Sequence, residues 1–293
     1  MVPQRPFEPL NAVSILRKHN LVPRKSLGQN FLIDPAVAER IVAAAEIPEG
    51  ALVLEVGPGL GALTRHLALT ARRVVAVELD ALLIPPLEEV LSTFENVTIL
   101  QGDILKLDPV HLIEEAEPQM TGEDHPAHSY LVVANIPYNI TSILIRHLLE
   151  TQQKPERIVL TVQREVADRI CAKPGKMSLL ALSVQVYGKP QKVMRIPAGA
   201  FYPAPKVDST TLRVDLYHEP VIPLGLMDVF FSLVKAGFSQ KRKTLRNALS
   251  AGLRCTLEET LSMLNRAGID SRRRAQTLSL EEWRALVQVY RST

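Results

Sequence analysis

A chain of 293 residues, 46% hydrophobic and 22% charged with 14 Gly and 21 Pro unclustered, can build one large domain carrying a small one, and this excludes collagen-like, disordered and disulfide-scaffold chains. No apolar run approaches the roughly 20 residues of a membrane-spanning helix and the N-terminus lacks the basic-then-apolar order of a signal peptide, so a cytoplasmic protein without a membrane partner is expected. The net charge of +3 names no partner, but the last third is basic: 14 Lys+Arg against 9 Asp+Glu from Phe201 onward, and 20 against 22 before it.

In chain order, residues 11–20 suit one short helix closed by Pro23, and residues 1–22 read as a helical arm. Residues 51–56 form a strand that runs into Gly57-Pro58-Gly59-Leu60-Gly61, after which residues 62–68 have helical spacing. Residues 74–77, 97–100, 130–134 and 158–162 read as four further strands. Near-continuous β-branched runs separated by helix-length segments predict a doubly wound α/β fold with parallel strands buried on both faces. Residues 179–187, 192–196 and 209–216 look strand-like, with no helix between the last two, and predict an antiparallel edge. The domain of residues 23–219 ends there. After a proline-bearing linker at 220–223, Thr256-x-x-Glu259 and Ser279-x-x-Glu282 are capping boxes ahead of apolar helical patterns, so residues 220–293 read as a small helical domain. Cys171 and Cys255 lie in no C-x-x-C pair and are expected as buried small apolar residues. His125-x-x-His128 sits in a polar loop without further ligand partners, so no metal is expected.

The glycine segment allows a ligand to approach backbone amides at the start of a helix. Gly57-x-Gly59-x-x-Ala62 also satisfies the loose dinucleotide fingerprint, and Glu78 at the end of the second strand could hold the ribose of NAD. A tight turn alone would use the same glycines. Two features point away from NAD. Glu55 precedes the glycines, where a carboxylate attracts a cationic group and repels a pyrophosphate. Asp103 in Gly102-Asp103-Ile104 follows the third strand and can accept from an adenine amine. Acids at three successive strand ends fit an ammonium, a ribose and an adenine without phosphate, which describes S-adenosylmethionine. Asn135-Ile136-Pro137-Tyr138 follows the fourth strand. The amine of adenine is a poor nucleophile because its lone pair is delocalised; the Asn135 amide oxygen and the carbonyl before Pro137 can accept both amine hydrogens and favour a pyramidal nitrogen, while Tyr138 can stack on the base. A polar turn with a core tyrosine is the plainer alternative.

Between Lys235 and Leu257 there are six cations, Lys235, Lys241, Arg242, Lys243, Arg246 and Arg254, and no acid, and Arg272-Arg273-Arg274 follows. A polyanion would release counterions on such a cluster, although a solvated helix face has the same composition.

Together, residues 24–32 (Arg-Lys-Ser-Leu-Gly-Gln-Asn-Phe-Leu), Glu55 to Gly61, Gly102-Asp103-Ile104, Asn135-Ile136-Pro137-Tyr138 and residues 201–209 (Phe-Tyr-Pro-Ala-Pro-Lys-Val-Asp-Ser) closely resemble the KsgA/RsmA ribosomal RNA adenine dimethyltransferases, in order and with similar spacing from about residue 10 to the C-terminus. The resemblance implies a Rossmann-like, mostly parallel seven-stranded methyltransferase sheet with an antiparallel edge and a small C-terminal all-helical domain. It implies S-adenosylmethionine as cofactor, held by Asn30, Leu32, Gly57, Glu78, Asp103 and Asn135, and catalysis by Asn135 and Tyr138 with Phe201 stacking on the target base. Lys241, Arg242, Lys243 and Arg246, on a basic helix over residues 238–247, would bind RNA. The implied reaction is dimethylation of two adjacent adenosines near the 3′ end of 16S rRNA, in the small ribosomal subunit or its precursor, by a monomer. An Erm-like enzyme acting on 23S rRNA shares the cofactor motifs, and a non-catalytic rRNA-binding assembly factor could keep the same fold. The intact Asn135 to Tyr138 motif argues against the latter.

Overall fold

The β-branched runs become strands and the segments between them helices. The computed structural model describes residues 7–116 and 129–292; His125 and His128 lie outside the described residues. α1 (Ala12–Lys18) is capped by Asn11, whose side chain accepts from Ser14 N at 3.0 Å. After β1 (Phe31–Leu32), α2 (Pro35–Ala45) starts on Asp34, which accepts from Ala36 N at 2.9 Å, with Pro35 in the first turn where a missing N–H is harmless. There follow β2 (Leu52–Val56), α3 (Thr64–Ala68), β3 (Arg73–Glu78), α4 (Ile84–Leu91), β4 (Val97–Gln101), α5 (Pro109–Ala116), β5 (Tyr130–Asn135), α6 (Thr141–Glu150), β6 (Arg157–Gln163), α7 (Arg164–Ile170), α8 (Leu179–Gln185), β7 (Gly188–Ile196), β8 (Phe201–Tyr202) and β9 (Ser209–Leu216).

The sheet has the order β4-β3-β2-β5-β6-β9-β7. Strands β4, β3, β2, β5 and β6 are parallel, and β9 runs antiparallel to β6 with Leu160 opposite Leu212. Every residue of β2 is buried, as is all of β5 but Asn135, as strands covered on both faces require. The order reverses between β2 and β5, and in doubly wound sheets the crevice outside the carboxyl ends at that reversal receives ligands. A separate two-stranded ladder joins β1 to β8, with Phe31 opposite Tyr202 and Leu32 opposite Phe201.

Two arginines close the C-terminal end of α2. Arg157 donates to the carbonyls of Ala45 at 2.6 Å and Glu46 at 3.2 Å, and Arg213 to the carbonyl of Ala44 at 3.1 Å and the Glu46 carboxylate at 2.8 Å. Both also bond Asp215, at 2.5 Å and 3.0 Å, and these guanidinium partners hold its pKa below the usual range despite its burial.

The chain divides into two compact units. One contains residues up to Ala167 together with Gln191–Leu216; the other contains Asp168–Pro190 together with the residues from Tyr217 onward. The second unit thus includes a segment that lies within residues 23–219. It contains α9 (Met227–Phe238), α10 (Leu245–Leu253), α11 (Leu257–Arg266) and α12 (Leu280–Arg291). Both expected capping boxes form, Thr256 with Glu259 and Ser279 with Glu282. Helices α9 and α10 approach so closely that a Cβ on Gly252 would lie 2.5 Å from the Ala236 side chain.

Three readings are corrected. Residues 179–185 are helix, not strand: Ser178 accepts from Ala181 N at 3.1 Å and caps α8, whose buried side includes Ala181, Leu182 and Val184. A short turn at Ala198–Ala200 and β8 stand between β7 and β9. Cys171 and Cys255 form no disulfide with each other and are only partly buried. Among the described residues no helix is long and apolar enough to cross a membrane.

Candidate active site

The cleft floor is built by the ends of β2 and β3. Glu55, the fourth residue of β2, is 1% exposed, and its Oε2 has no hydrogen-bond partner. Burial pushes its pKa up to about 8, the nearby Glu78 carboxyl adds to the rise, and the Thr64 hydroxyl opposes it without reaching hydrogen-bond geometry. Gly57, at φ +67°, donates its N–H to the Val77 carbonyl at 2.9 Å, tying the turn to β3. Gly59, at φ +60°, lies so close beneath β1 that an added Cβ would sit 3.0 Å from the Phe31 ring. Its N–H donates to Glu78 Oε2 at 3.1 Å, and Asp80 N donates to Glu78 Oε1 at 2.9 Å. Burial raises the Glu78 pKa while these amides lower it. At the end of β4, Asp103 Oδ1 accepts from Leu105 N at 3.1 Å, and Oδ2 lies 3.6 Å from the Lys106 ammonium.

The other wall is the segment from Arg24 to Leu32. Asp80, 5% exposed, accepts from Arg24 Nη1 at 2.9 Å and from Gln29 Nε2 at 2.8 Å, while Gln29 Oε1 accepts from Arg24 N at 2.8 Å. The Asn30 carbonyl then accepts from Asn135 Nδ2 at 3.2 Å. This bond fixes the polarity of the Asn135 amide: its N–H is committed to protein, and its Oδ1 remains an acceptor with no protein donor among the described residues. Beyond the buried Ile136, the Tyr138 hydroxyl shares a 2.5 Å hydrogen bond with Ser209 Oγ, which anchors the ring to β9. Partial burial raises the Tyr138 pKa, and the Ser209 bond opposes the rise.

One cavity is lined by Asn30, Leu32, Gly57, Glu78, Asp103, Asn135 and Tyr138, with Glu55 at its base. Phe201 is not brought to it. That residue is 3% exposed and packs in the same core as Leu32 and Val133, its strand paired with β1, so it offers no face for a base to stack on. Sequence reading also misses Asp80, whose signal is a second acid two residues after Glu78 at a strand end.

In the second unit the basic segment departs from expectation. Lys241, Arg242 and Lys243 are exposed in the turn between α9 and α10 rather than on a helix, and Arg246 lies in the first turn of α10 with its Nε buried and unpartnered. Leu245 N donates to the Arg273 carbonyl at 2.6 Å and Arg246 N to the Ser271 carbonyl at 3.2 Å, which brings Arg272-Arg273-Arg274 beside this turn. Arg272 pairs with Asp270 and Arg273 with Glu282. Lys241, Arg242, Lys243 and Arg274 have no carboxylate partner among the described residues.

A doubly wound sheet with a glycine turn at its reversal, acids at three strand ends and an Asn-x-Pro-Tyr corner at the fourth defines a Rossmann-like methyltransferase. The lining residues include no Lys or Arg to meet a pyrophosphate, whereas the orphaned Glu55 oxygen and the Glu78 and Asp103 carboxylates suit the ammonium, ribose and adenine of S-adenosylmethionine. Comparison with known proteins narrows the class. Residues 20–291 match the family described as Ribosomal RNA adenine dimethylase, and the chain belongs to that family. It is 45% identical over 99% of its length to the Ribosomal RNA small subunit methyltransferase A of Dehalococcoides mccartyi (strain CBDB1), covering 96% of that protein. It is 43% identical to the protein of the same name from Moorella thermoacetica, over 95% of this chain and 96% of the relative. Among solved structures, the 23S rRNA methyltransferase ErmE is 28% identical with a TM-score of 0.70, over 89% of this chain and 99% of that one. A dimethyladenosine transferase from Plasmodium falciparum shares the fold at 24% identity and a TM-score of 0.74, over 89% and 98%.

Proposed function

We propose that this protein transfers methyl groups from S-adenosylmethionine to N6 of two adjacent adenosines near the 3′ end of 16S rRNA, acting as a cytoplasmic monomer on the small subunit or its precursor. The observation that carries the reading is the Asn135 amide at the end of β5, its Nδ2 held by the Asn30 carbonyl at 3.2 Å and its Oδ1 left to accept. When bound, S-adenosylmethionine supplies a methyl already activated on a sulfonium. Glu55 meets its ammonium, Glu78 its ribose hydroxyls and Asp103 its adenine amine, while Gly57, Asn30 and Leu32 enclose the methionine end.

Asn135 Oδ1 and the Ile136 carbonyl accept the two hydrogens of the target amine and localise its lone pair for in-line attack; the surplus proton then leaves to solvent. These acceptors strengthen as the nitrogen becomes pyramidal, so they lower the barrier more than they aid ground-state binding. Unstacking the target costs a few kcal/mol, and stacking on Tyr138 returns roughly 1–3 kcal/mol. Phe201 contributes from beneath, by holding the β1–β8 ladder that carries Leu32. Lys241, Arg242, Lys243 and Arg246 contact RNA phosphates. Relatives named for the small subunit share 45% and 43% identity with this chain, whereas the 23S enzyme shares 28%, which supports the 16S reading over the Erm-like alternative.

The test is to map labelled methyl groups on small- and large-subunit rRNA after incubation with labelled cofactor. Label on two neighbouring 16S adenosines supports the reading, label on 23S rRNA selects the alternative, and no label on either refutes both. Asn135→Ala should lower kcat at least 100-fold while the protein remains folded.

A further inference from the structure

A second cavity adjoins the cofactor cleft. It shares Ser26, Gly28, Asn30, Tyr138 and Asn139 with that cleft and adds Lys25 and Gln163. The cofactor cleft is lined by carboxylates and no cation, while the two side chains this cavity adds are an ammonium and a carboxamide. Gln163 and Lys25 make no side-chain hydrogen bond or ion pair with other described residues, so their donors are free.

Strand register puts Gln163 beside the proposed chemistry. Asn135 of β5 is opposite Thr161 of β6, and Gln163 lies two residues further toward the carboxyl end on the same strand. Across β6 and β9, Gln163 is opposite Ser209, the residue whose hydroxyl holds Tyr138 at 2.5 Å. A planar base laid on Tyr138 with its exocyclic amine at Asn135 therefore turns another part of its edge toward Gln163. The amine hydrogens are already taken by Asn135 Oδ1 and the Ile136 carbonyl, so what adenine has left beside the amine is acceptors, the ring nitrogens N1 and N7. A glutamine amide supplies the matching donor. Guanine, with a hydrogen on N1 and an oxygen in place of the amine, does not match the combination.

We infer that this second cavity is the subsite for the target nucleotide, in which Gln163 donates from Nε2 to a ring nitrogen flanking the exocyclic amine of an adenine and Lys25 meets the adjoining RNA phosphate. The inference rests on the adenine-methylating reading and adds a specificity-determining residue to it.

The experiment compares wild type, Q163L, Q163E and K25M on small-subunit rRNA, with cofactor affinity measured alongside as the check on folding. Q163L and Q163E should bind cofactor within twofold of wild type and lose roughly 10- to 100-fold in kcat/KM for RNA, the cost of leaving a buried ring nitrogen without its donor. K25M should raise KM with kcat unchanged. Synthetic RNA carrying 1-deazaadenosine or 7-deazaadenosine at the target separates the two ring nitrogens. One analogue should cost the wild type about tenfold and cost Q163L nothing further, because the donor it lacks is already gone. A merely structural role for Gln163 would leave that analogue's penalty unchanged in Q163L, and this result overturns the assignment, as does wild-type kcat/KM in Q163L and Q163E. If the wild type labels no rRNA adenine, the underlying reading fails and the subsite with it.

Discussion

Glu55→Gln should separate what the fold prefers from what the site needs. The carboxyl is 1% exposed, one oxygen has no partner, and burial pushes its pKa up to about 8. The unfolded chain releases the same proton near 4.5. A raised folded pKa means that the group's contribution to stability is fully present below the unfolded value and is lost as pH rises through the folded one. Each unit of separation is worth about 1.4 kcal/mol, so between pH 5 and pH 8.5 the wild type should lose up to about 4 kcal/mol at this position alone. A glutamine does not titrate, so E55Q should gain on the wild type by that amount across the window, while fixed effects of the substitution cancel in the comparison. Urea unfolding of both proteins without cofactor, at the two pH values, measures it. A stability difference that stays constant within about 1 kcal/mol would refute the claim that the wild-type carboxyl is held protonated at neutral pH. The same variant should bind S-adenosylmethionine more weakly, since the wild-type carboxyl can give up its proton to meet the ammonium with a charge and a glutamine cannot; a stabilising change that weakens the ligand is the usual mark of a functional group.

Asp80→Asn should loosen the Arg24–Gln29–Asp80 bonding, giving faster amide exchange over residues 24–30 and about tenfold weaker cofactor binding, as removal of one charge-assisted hydrogen bond implies; unchanged exchange would show that Asp80 does not hold this wall. Arg213→Ala leaves the Ala44 carbonyl without its side-chain donor and Asp215 with one guanidinium, and should cost about 2–3 kcal/mol by chemical denaturation with the cofactor affinity of the folded protein intact; an unaltered midpoint would count against the arginine closure of α2. Replacing Lys241, Arg242, Lys243 and Arg246 together should flatten the salt dependence of rRNA binding, by up to about 0.7–0.9 in log-log slope for each phosphate no longer neutralised. An equal slope in both proteins would return these residues to a solvated surface.

Strands β2, β3, β5 and β6 are readable because they are mostly buried and carry near-continuous apolar runs. Strand β4, at the sheet edge, is not buried as expected and is legible only through its apolar residues, and the acids Glu55, Glu78 and Asp103 are legible because they stand at or just past strand ends. Residues 179–187 mislead because a short apolar stretch has no decisive period; the discriminating signal is Ser178, a side chain able to cap the following turn. The basic segment reads as helix because Lys and Arg are good helix formers, yet α9 ends at Phe238 and α10 starts at Leu245, leaving Lys241, Arg242 and Lys243 between them. Phe201 is legible as an aromatic at a significant place but its burial is not, since that depends on pairing with Leu32, remote in sequence. Gln163 gives no signal at all, because only strand register sets it beside Ser209 and Tyr138.

The wall that bears Asn30 is secured by two ties of very different reach along the chain. Its near end is bound to Asp80, its far end to Phe201 and Tyr202. During vectorial synthesis, where N-terminal parts fold first, the Asp80 tie can form once β3 has emerged, before β5 exists to supply Asn135. The ladder to β8 must wait until β5, β6 and β7 have been made. A nascent chain that ends short of Phe201 therefore has Glu78 and Asp103 in place, yet the strand carrying Leu32 still lacks its partner. Completion of the cleft wall at Leu32 is thereby deferred until nearly the whole first unit has left the ribosome.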